Sequence, residues 1–270
     1  RIMVGHERRF VEPVQKSLID DGVNILENTF VNRVEKDKAD IKLHLSSGKV
    51  LLVSDLLIAA GRVPNIEQLD LETAGVKYNE FGITVDRNLR TTNKLVYAIG
   101  DIVKGSRFTH TASYHAGIVL KKILLGLPSK LRTDHIPQVT YTDPEIASVG
   151  MNFEDAVKRF GKKIERSCVN LKNNDRAITD SKTEGFVEVI LLGKKVIGCS
   201  ITSKNAGELI SFWAFVIAKN IKISSINAMI PPYPTLGEVN KRVVSEYYAP
   251  KVFGNKLLKY YVGIIQRFSK

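Results

Sequence analysis

The sequence has little cysteine and no long apolar run. Among its 270 residues only Cys168 and Cys199 are cysteines, which excludes a redox pair at short spacing and a clustered cysteine metal site. We expect two packed, reduced thiols and no metal site. No stretch approaches the roughly 20 apolar residues of a spanning helix, and charged residues occupy the N-terminus, where a signal peptide would be apolar. These absences predict a soluble, cytoplasmic protein.

The sequence also lacks the glycine-rich loops that bind dinucleotide phosphates. No G-x-G-x-x-G occurs anywhere, and no C-x-x-x-x-C occurs either. If this protein uses such loops or such a cysteine pair, residues outside this sequence must supply them.

Acidic residues are scarce towards the C-terminus. Residues 239–270 contain seven Lys or Arg but a single acidic residue, Glu246, in a chain of formal net charge +12. Such a patch could meet nucleic acid, an anionic membrane or an acidic partner. A solvated helix face is the more common explanation, however, and we expect no nucleic-acid partner.

The last segment, 252–268, has the pattern of a basic amphipathic helix. Its apolar residues form one helical stripe, and its basic residues lie on the other side. The stripe contains Leu257, Tyr261, Ile264, Ile265 and Phe268, and the other side contains Lys256, Lys259, Gln266, Arg267 and Lys270. We expect the stripe to pack against the protein's own dimer. Peripheral contact with an anionic membrane is the less favoured alternative.

Hydrophobic periodicity predicts two kinds of architecture along the chain. An amphipathic helix over 10–21 is followed by alternating strands. A nearly continuous apolar run at 55–60 and a second apolar run at 95–99 are typical of buried strands. Strand, loop and helix in this order indicate an α/β layer. From about residue 133, strands and helices follow in the manner of an α+β domain, and Asn152 with Asp155 predicts a capped helix start.

Three short strings carry chemical information: Ile58–Asn65, Tyr97–Asp101 and Tyr141–Gly150. In the second string a glycine at a strand end allows close backbone approach, and the adjacent carboxylate of Asp101 can accept hydrogen bonds from a sugar-like hydroxyl. Taken alone, the string is better explained by a strand followed by an ordinary Gly-Asp turn. The order of the three strings is the stronger signal.

In that order, the strings resemble the pyridine-nucleotide:disulfide oxidoreductases, the family of glutathione reductase, dihydrolipoamide dehydrogenase and mercuric reductase. The resemblance implies partial FAD- and NAD(P)-binding Rossmann-like α/β domains followed by an α+β dimerisation domain. The implied divisions are 1–60 (end of the NAD(P) domain), 61–132 (returning FAD segment), 133–250 (dimerisation domain) and 251–270 (basic amphipathic helix).

The resemblance also implies FAD and NAD(P)H as cofactors and assigns residues to them. Asp101 would bind the ribityl chain of FAD, and a helix start would face the flavin ring, where N–H groups stabilise negative charge. The cofactor-binding residues implied are Gly61, Arg62, Gly100, Asp101, Thr109, His110, Thr111 and Ala112.

The catalytic residues implied are Tyr233 and Glu238. Disulfide-reducing members carry His-Pro-Thr-x-x-Glu here, whereas this sequence has Tyr233 in the histidine position. A phenol with an ordinary pKa of about 10 cannot transfer protons near neutral pH as an imidazole does. This departure resembles mercuric reductase, yet the C-terminal cysteine pair of that enzyme is absent. An interface aromatic with only a packing role is the alternative for Tyr233.

The resemblance leads to one functional expectation and two alternatives. We expect a fragment of an FAD-dependent NAD(P)H oxidoreductase that passes hydride to flavin and on to a disulfide or related acceptor, as in mercuric reductase. It would form a homodimer through 133–250, with a separate N-terminal fragment supplying the loops and redox cysteines. The alternatives are an inactive remnant acting as a dimeric scaffold, and a fragment of a dihydrolipoamide dehydrogenase-like enzyme.

Overall fold

A computed structural model describes residues 1–268 as a mixed helix and sheet protein with two compact units. The first unit contains Arg1–Gly5 and Leu18–Leu131, and the second contains His6–Ser17 and the chain from Arg132 onward. Among the described residues, no helix combines the length and apolar character needed to cross a bilayer.

The first unit is built from two small antiparallel sheets and one long helix. Three strands form a meander in the order β1-β2-β3, with Val34 opposite Leu43 and Leu43 opposite Leu51. The elements are β1 (Val31–Asp37), β2 (Asp40–Leu45), β3 (Val50–Val53), β4 (Tyr78–Asn79), β5 (Gly82–Ile83) and α2 (Thr109–Leu125). A small apolar cluster gives the unit a core: Ile66, Leu71, Val76, Ile83, Ala98 and Val103.

The two apolar runs predicted as buried strands are not strands in this structure, so that prediction was wrong. Leu57 is 88% exposed and Leu95 is 91% exposed. Tyr97 makes only an isolated bridge with Arg90. A strand needs a neighbour for its N–H and C=O groups, and within residues 1–268 no other segment pairs with 55–60.

The second unit contains a five-stranded antiparallel sheet in the order β6-β7-β10-β9-β8. Its strands are β6 (Gln138–Thr140), β7 (Glu145–Gly150), β8 (Ile164–Asn170), β9 (Phe186–Leu192) and β10 (Lys195–Ser203). Its helices are α3 (Phe153–Phe160), α4 (Asp175–Thr179), α5 (Ala206–Ala218), α6 (Glu238–Phe253) and α7 (Lys256–Phe268), together with most of α1 (Arg8–Asp20). The predicted α+β pattern is confirmed, and Asn152 caps α3 by accepting from the Asp155 N–H at 2.8 Å.

The main core of the second unit lies between the sheet and helices α5 and α6. Trp213 is fully buried, and its indole N–H donates to Oδ1 of Asn240, 2.8 Å away on α6. The buried indole N–H is therefore hydrogen-bonded, and this bond holds α5 and α6 in register.

Helix α1 packs on the strands of the second unit. The Phe10 ring lies 4.6 Å from that of Phe186, and the Thr202 hydroxyl donates to the Phe10 carbonyl at 3.0 Å. The Arg9 guanidinium donates to the carboxylate of Glu188, which is almost fully buried in β9. A chain segment far away in sequence thus completes this unit.

Both cysteines are free thiols, and one of them differs from the prediction in its burial. Cys199 is a buried thiol in β10, but Cys168 is exposed on β8. Strand β8 lies at an edge of the sheet and alternates buried with exposed positions, and Cys168 falls on the exposed side.

The C-terminal helix starts later than predicted. Helix α6 continues through Pro250 to Phe253, and α7 begins at Lys256, after Gly254 and Asn255. The side-chain oxygen of Asn255 accepts hydrogen bonds from the Leu257 and Leu258 N–H groups at 3.0 and 3.3 Å, which explains the new helix start. Lys270 lies outside the described residues.

Candidate functional site

Gly100 and Asp101 form a tight turn in the first unit. Gly100 has a φ of +72°, a left-handed conformation that favours glycine. A Cβ atom at this position would lie 3.2 Å from that of Ala112, so a side chain would also crowd helix α2. The glycine therefore lets the turn that carries Asp101 sit directly against the start of α2.

His115 joins the same two elements. Its Nδ1 atom accepts a hydrogen bond from the Gly100 N–H at 3.2 Å, and the ring is buried. Burial lowers the pKa of His115 below its ordinary value of 6.5, which favours the neutral ring that can accept this bond. The histidine thus fixes the Asp101 turn to the second turn of the helix.

A cavity of about 390 Å³ opens beside the carboxylate of Asp101. It is lined by Arg62, Val63, Pro64, Asn65, Asp101, Ile102 and Arg107. The Arg107 guanidinium donates to the backbone carbonyl of Arg62, which ties the two sides of the cavity together. Gly61, directly before Arg62, has a φ of +120° and open space around it, so its backbone conformation rather than crowding requires glycine.

The start of α2 has a buried hydroxyl that makes no hydrogen bond with the described residues. Phe108 precedes the helix in extended conformation, and its carbonyl accepts from the N–H groups of Thr111 and Ala112. Thr109 and His110 are exposed, and the His110 ring stacks on that of Phe108 at 5.1 Å. The Thr111 hydroxyl is buried and makes no hydrogen bond with any described residue. A helix start of this kind favours negative charge.

The structure brings together only part of the predicted cofactor set. Arg62 and Asp101 line one cavity, and Gly100 contacts Ala112. The residues of the α2 start do not line that cavity, and they connect to it through Gly100 and His115.

The second candidate group lies in the second unit, around Tyr233. Its phenol is 71% exposed and donates a hydrogen bond to Oδ2 of Asp175 at 2.8 Å. This bond, the charge of Asp175 and, to a smaller degree, the charge of Glu238 raise the pKa of Tyr233 above its ordinary value of 10. The phenol therefore stays protonated at neutral pH.

Asn174 places Asp175 beside this tyrosine. The Asn174 side chain is fully buried, caps α4 by accepting from the Ala177 N–H at 3.0 Å, and donates to the Thr235 carbonyl at 3.1 Å. Glu238 is the first residue of α6, where a carboxylate interacts favourably with the helix dipole. The loop before α4 and the segment after Tyr233 are thus joined through one amide.

Sequence reasoning missed four of these residues. The residues that the sequence assigns to a site do not include Arg107, His115, Asn174 or Asp175. The run Asn173-Asn174-Asp175 before a short helix is an N-cap signal that could have indicated the last two. In the described part of the chain, no three His, Cys, Asp or Glu side chains are grouped as metal ligands would be.

Two family models match these two regions. The model described as pyridine nucleotide-disulphide oxidoreductase matches residues 1–116, and the model of the dimerisation domain of the same family matches residues 136–244. The chain belongs to the pyridine nucleotide-disulphide oxidoreductase family. The family is one of FAD- and NAD(P)H-dependent oxidoreductases, and the presence of its dimerisation domain supports homo-oligomerisation.

Curated relatives carry two different names. The chain is 30% identical to a mercuric reductase of Bacillus cereus over 250 residues, covering 90% of this chain and 40% of the relative. It is 32% identical to a dihydrolipoyl dehydrogenase of Staphylococcus aureus over 244 residues, covering 88% of this chain and 52% of the relative. The chain therefore spans about half the length of the curated relatives it matches, and their names do not decide between the two activities.

Solved structures of this family share the fold. The HOCl-induced flavoprotein disulfide reductase RclA from Escherichia coli matches with a TM-score of 0.80 and 26% identity, over 91% of this chain and 57% of that one. LpdA from Mycobacterium tuberculosis matches with a TM-score of 0.83 and 24% identity, over 89% of this chain and 53% of that one. The predicted fold class is confirmed.

The residues of the first unit fit the flavin cofactor of the family. The Asp101 carboxylate beside a cavity can accept hydrogen bonds from hydroxyl groups, and the buried Thr111 hydroxyl lacks a partner among the described residues. A buried hydroxyl without a partner costs about 1–3 kcal/mol, so a bound polar group would be stabilised there.

Proposed function

We propose that this chain is part of an FAD-dependent NAD(P)H oxidoreductase whose acceptor is a disulfide or a related group, as in mercuric reductases. The observation that carries the proposal is the cavity beside Asp101, joined to the start of α2 by the hydrogen bond between Gly100 and His115. When bound, FAD supplies the two-electron chemistry that links NAD(P)H to the acceptor.

In this proposal the residues of the first unit bind and orient the cofactor. Asp101 accepts hydrogen bonds from the ribityl hydroxyls, and Arg62 contributes positive charge to the same cavity. The dipole of α2, at the helix start formed by Thr109 to Ala112, stabilises negative charge at the flavin ring. Gly61 and Gly100 supply the backbone conformations that bring these groups close.

The residues of the second unit would act at the acceptor. Tyr233 donates a hydrogen bond at neutral pH and does not act as a base there, because the pKa of a phenol is about 10 and Asp175 raises it further. An acceptor that needs an imidazole base, as in glutathione or lipoamide reduction, fits this group poorly. An acceptor that takes electrons without a protein base fits it better.

The quaternary arrangement is part of the proposal. The dimerisation domain, within 133–250, would pair two copies and bring Tyr233 and Glu238 to the partner's site. A separate N-terminal fragment would supply the two glycine-rich loops and the redox cysteines that this sequence lacks. A dihydrolipoamide dehydrogenase-like fragment is the alternative that sequence identity supports equally.

Co-expression with the proposed N-terminal fragment tests the proposal. The purified complex should show an oxidised-flavin spectrum, and Asp101→Asn should lower flavin retention about tenfold or more, because a charge-assisted hydrogen bond contributes about 1.5–3 kcal/mol. Asp21→Asn, an exposed carboxylate of the same unit, is the matched control and should change nothing. Colourless protein throughout, with a stable dimer, would favour the scaffold alternative.

A further inference from the structure

The C-terminal helix α7 presents an apolar face that the described chain does not cover. Leu257 is 80% exposed, Tyr260 72% and Tyr261 60%, and Val262 and Ile265 are exposed as well. Residues four apart along a helix share one face, so Leu257, Tyr261 and Ile265 form a continuous stripe. Contiguous apolar surface of this kind marks an interaction site in a folded protein.

The opposite side of α7 is basic. Lys256 and Lys259 lie three residues apart on that side, are exposed, and form no ion pair with any acidic side chain of residues 1–268. Lys251, just before the helix, is already paired with Glu165. No acidic residue follows Glu246 in the sequence, and the helix lies beyond the segment that matches the dimerisation domain.

This combination disfavours a second copy of the chain as the occupant of the face. Symmetric pairing of α7 with itself would bring two basic helices together with no acidic residue on either to form salt bridges between them. An anionic surface complements the charge instead. The tyrosines of this helix also suit a membrane interface, because the ring of a tyrosine is apolar and its hydroxyl can contact water.

We propose that α7 binds the surface of an anionic phospholipid bilayer, lying in the interface plane with Leu257, Tyr261 and Ile265 in the acyl boundary and Lys256 and Lys259 at the headgroups. Apolar burial and electrostatic attraction both contribute to binding of this kind. Asn255 and Gly254 separate α7 from α6, so the helix is a distinct binding element at the end of the dimerisation unit.

Vesicle co-sedimentation of the full chain tests this proposal. Vesicles of mixed phosphatidylglycerol and phosphatidylcholine should pellet the protein, and vesicles of phosphatidylcholine alone should pellet far less. Lys256→Glu with Lys259→Glu should weaken partitioning at least about tenfold, since each basic residue near the surface contributes about 1 kcal/mol. Leu257→Gln with Tyr261→Gln should weaken it similarly, through lost apolar burial.

A charge-matched control separates this helix from the general basicity of the protein. Lys162→Glu with Lys163→Glu makes the same change in net charge on an exposed turn elsewhere in the second unit, and partitioning should stay within about twofold. An equal loss in this control, or equal pelleting by both vesicle types, would overturn the proposal. A lower molecular mass for the Leu257→Gln, Tyr261→Gln protein in light scattering would also overturn it, because α7 would then be an interface between copies.

Discussion

The backbone N–H of Gly100 donates a hydrogen bond to Nδ1 of His115, 3.2 Å away, in a buried part of the first unit. The bond connects the turn that carries Asp101 with the helix whose first residues we propose to face the flavin. This bond would affect ligand binding even if neither residue contacted the ligand, because it positions groups that would contact the ligand.

Removing the histidine acceptor should destabilise the first unit. His115→Leu leaves the buried Gly100 N–H without a partner, and we expect a loss of about 1–3 kcal/mol in the free energy of unfolding. His115→Gln keeps an acceptor oxygen and should lose less. Urea unfolding followed by circular dichroism measures both. Equal stability of all three proteins would show that the bond contributes nothing.

The same histidine should make stability depend on pH. Its pKa is lowered in the folded protein, so the unfolded chain binds a proton at a higher pH than the folded chain does. The contribution of His115 to the free energy of unfolding is therefore fully present well above pH 6.5, and it falls as the pH drops below about 6.5. The pKa of His6 is lowered by burial too, so the informative quantity is the difference between wild type and His115→Gln. A difference that does not change between pH 8 and pH 5, roughly the range in which histidine titrates, would contradict the assignment.

Gly100→Ala should be destabilising by about 1–3 kcal/mol. The new Cβ would meet Ala112 at 3.2 Å, and a φ of +72° is strained for alanine. Gly117→Ala on α2 is the matched control, since a Cβ there meets nothing within 4 Å. In a helix interior this change should stabilise by up to about 1 kcal/mol. Thermal unfolding of the two variants should therefore move in opposite directions.

The buried carboxylate of Glu188 should depend on its partner from α1. Arg9→Leu leaves that carboxylate in the sheet with only Arg166, 3.7 Å away and half exposed. Breaking a buried ion pair costs about 3–5 kcal/mol, and the remaining arginine should reduce that loss to roughly 2–3 kcal/mol. The double variant Arg9→Leu, Glu188→Leu should regain most of the stability in denaturant unfolding. A double variant no better than Arg9→Leu would argue against a direct charge coupling.

Asp175→Asn should lower the pKa of the Tyr233 phenol towards its ordinary value. The substitution removes the negative charge of Asp175 and leaves a weaker acceptor oxygen, and both of these raise the pKa of Tyr233 in the wild type. Glu238 would still contribute. An ultraviolet titration of tyrosinate, taken as the difference between each protein and its Tyr233→Phe counterpart, isolates this phenol. An unchanged difference curve would mean that Asp175 does not raise the pKa of Tyr233 in solution.

Local signals in the sequence were sufficient for most helices and strands of the second unit. The turn after Leu192, the alternation in β8 and the Asn152 cap depend on residues within a few positions of one another. Such signals act before any tertiary contact forms, so they can be read directly from the chain. The family resemblance likewise depended on three short strings and on their order along the chain.

Tertiary structure alone decided the features that join distant residues. Residues 55–60 are apolar enough for a buried strand, yet no strand forms, because pairing needs a partner that the sequence pattern of one segment cannot reveal. Arg9 meets Glu188 across 179 positions, and Tyr233 meets Asp175 across 58. The sequence by itself determined the family, the local elements and the residue types of the candidate site. Only the fold decided which side chains share a hydrogen bond, because burial and distance are properties of packing rather than of order along the chain.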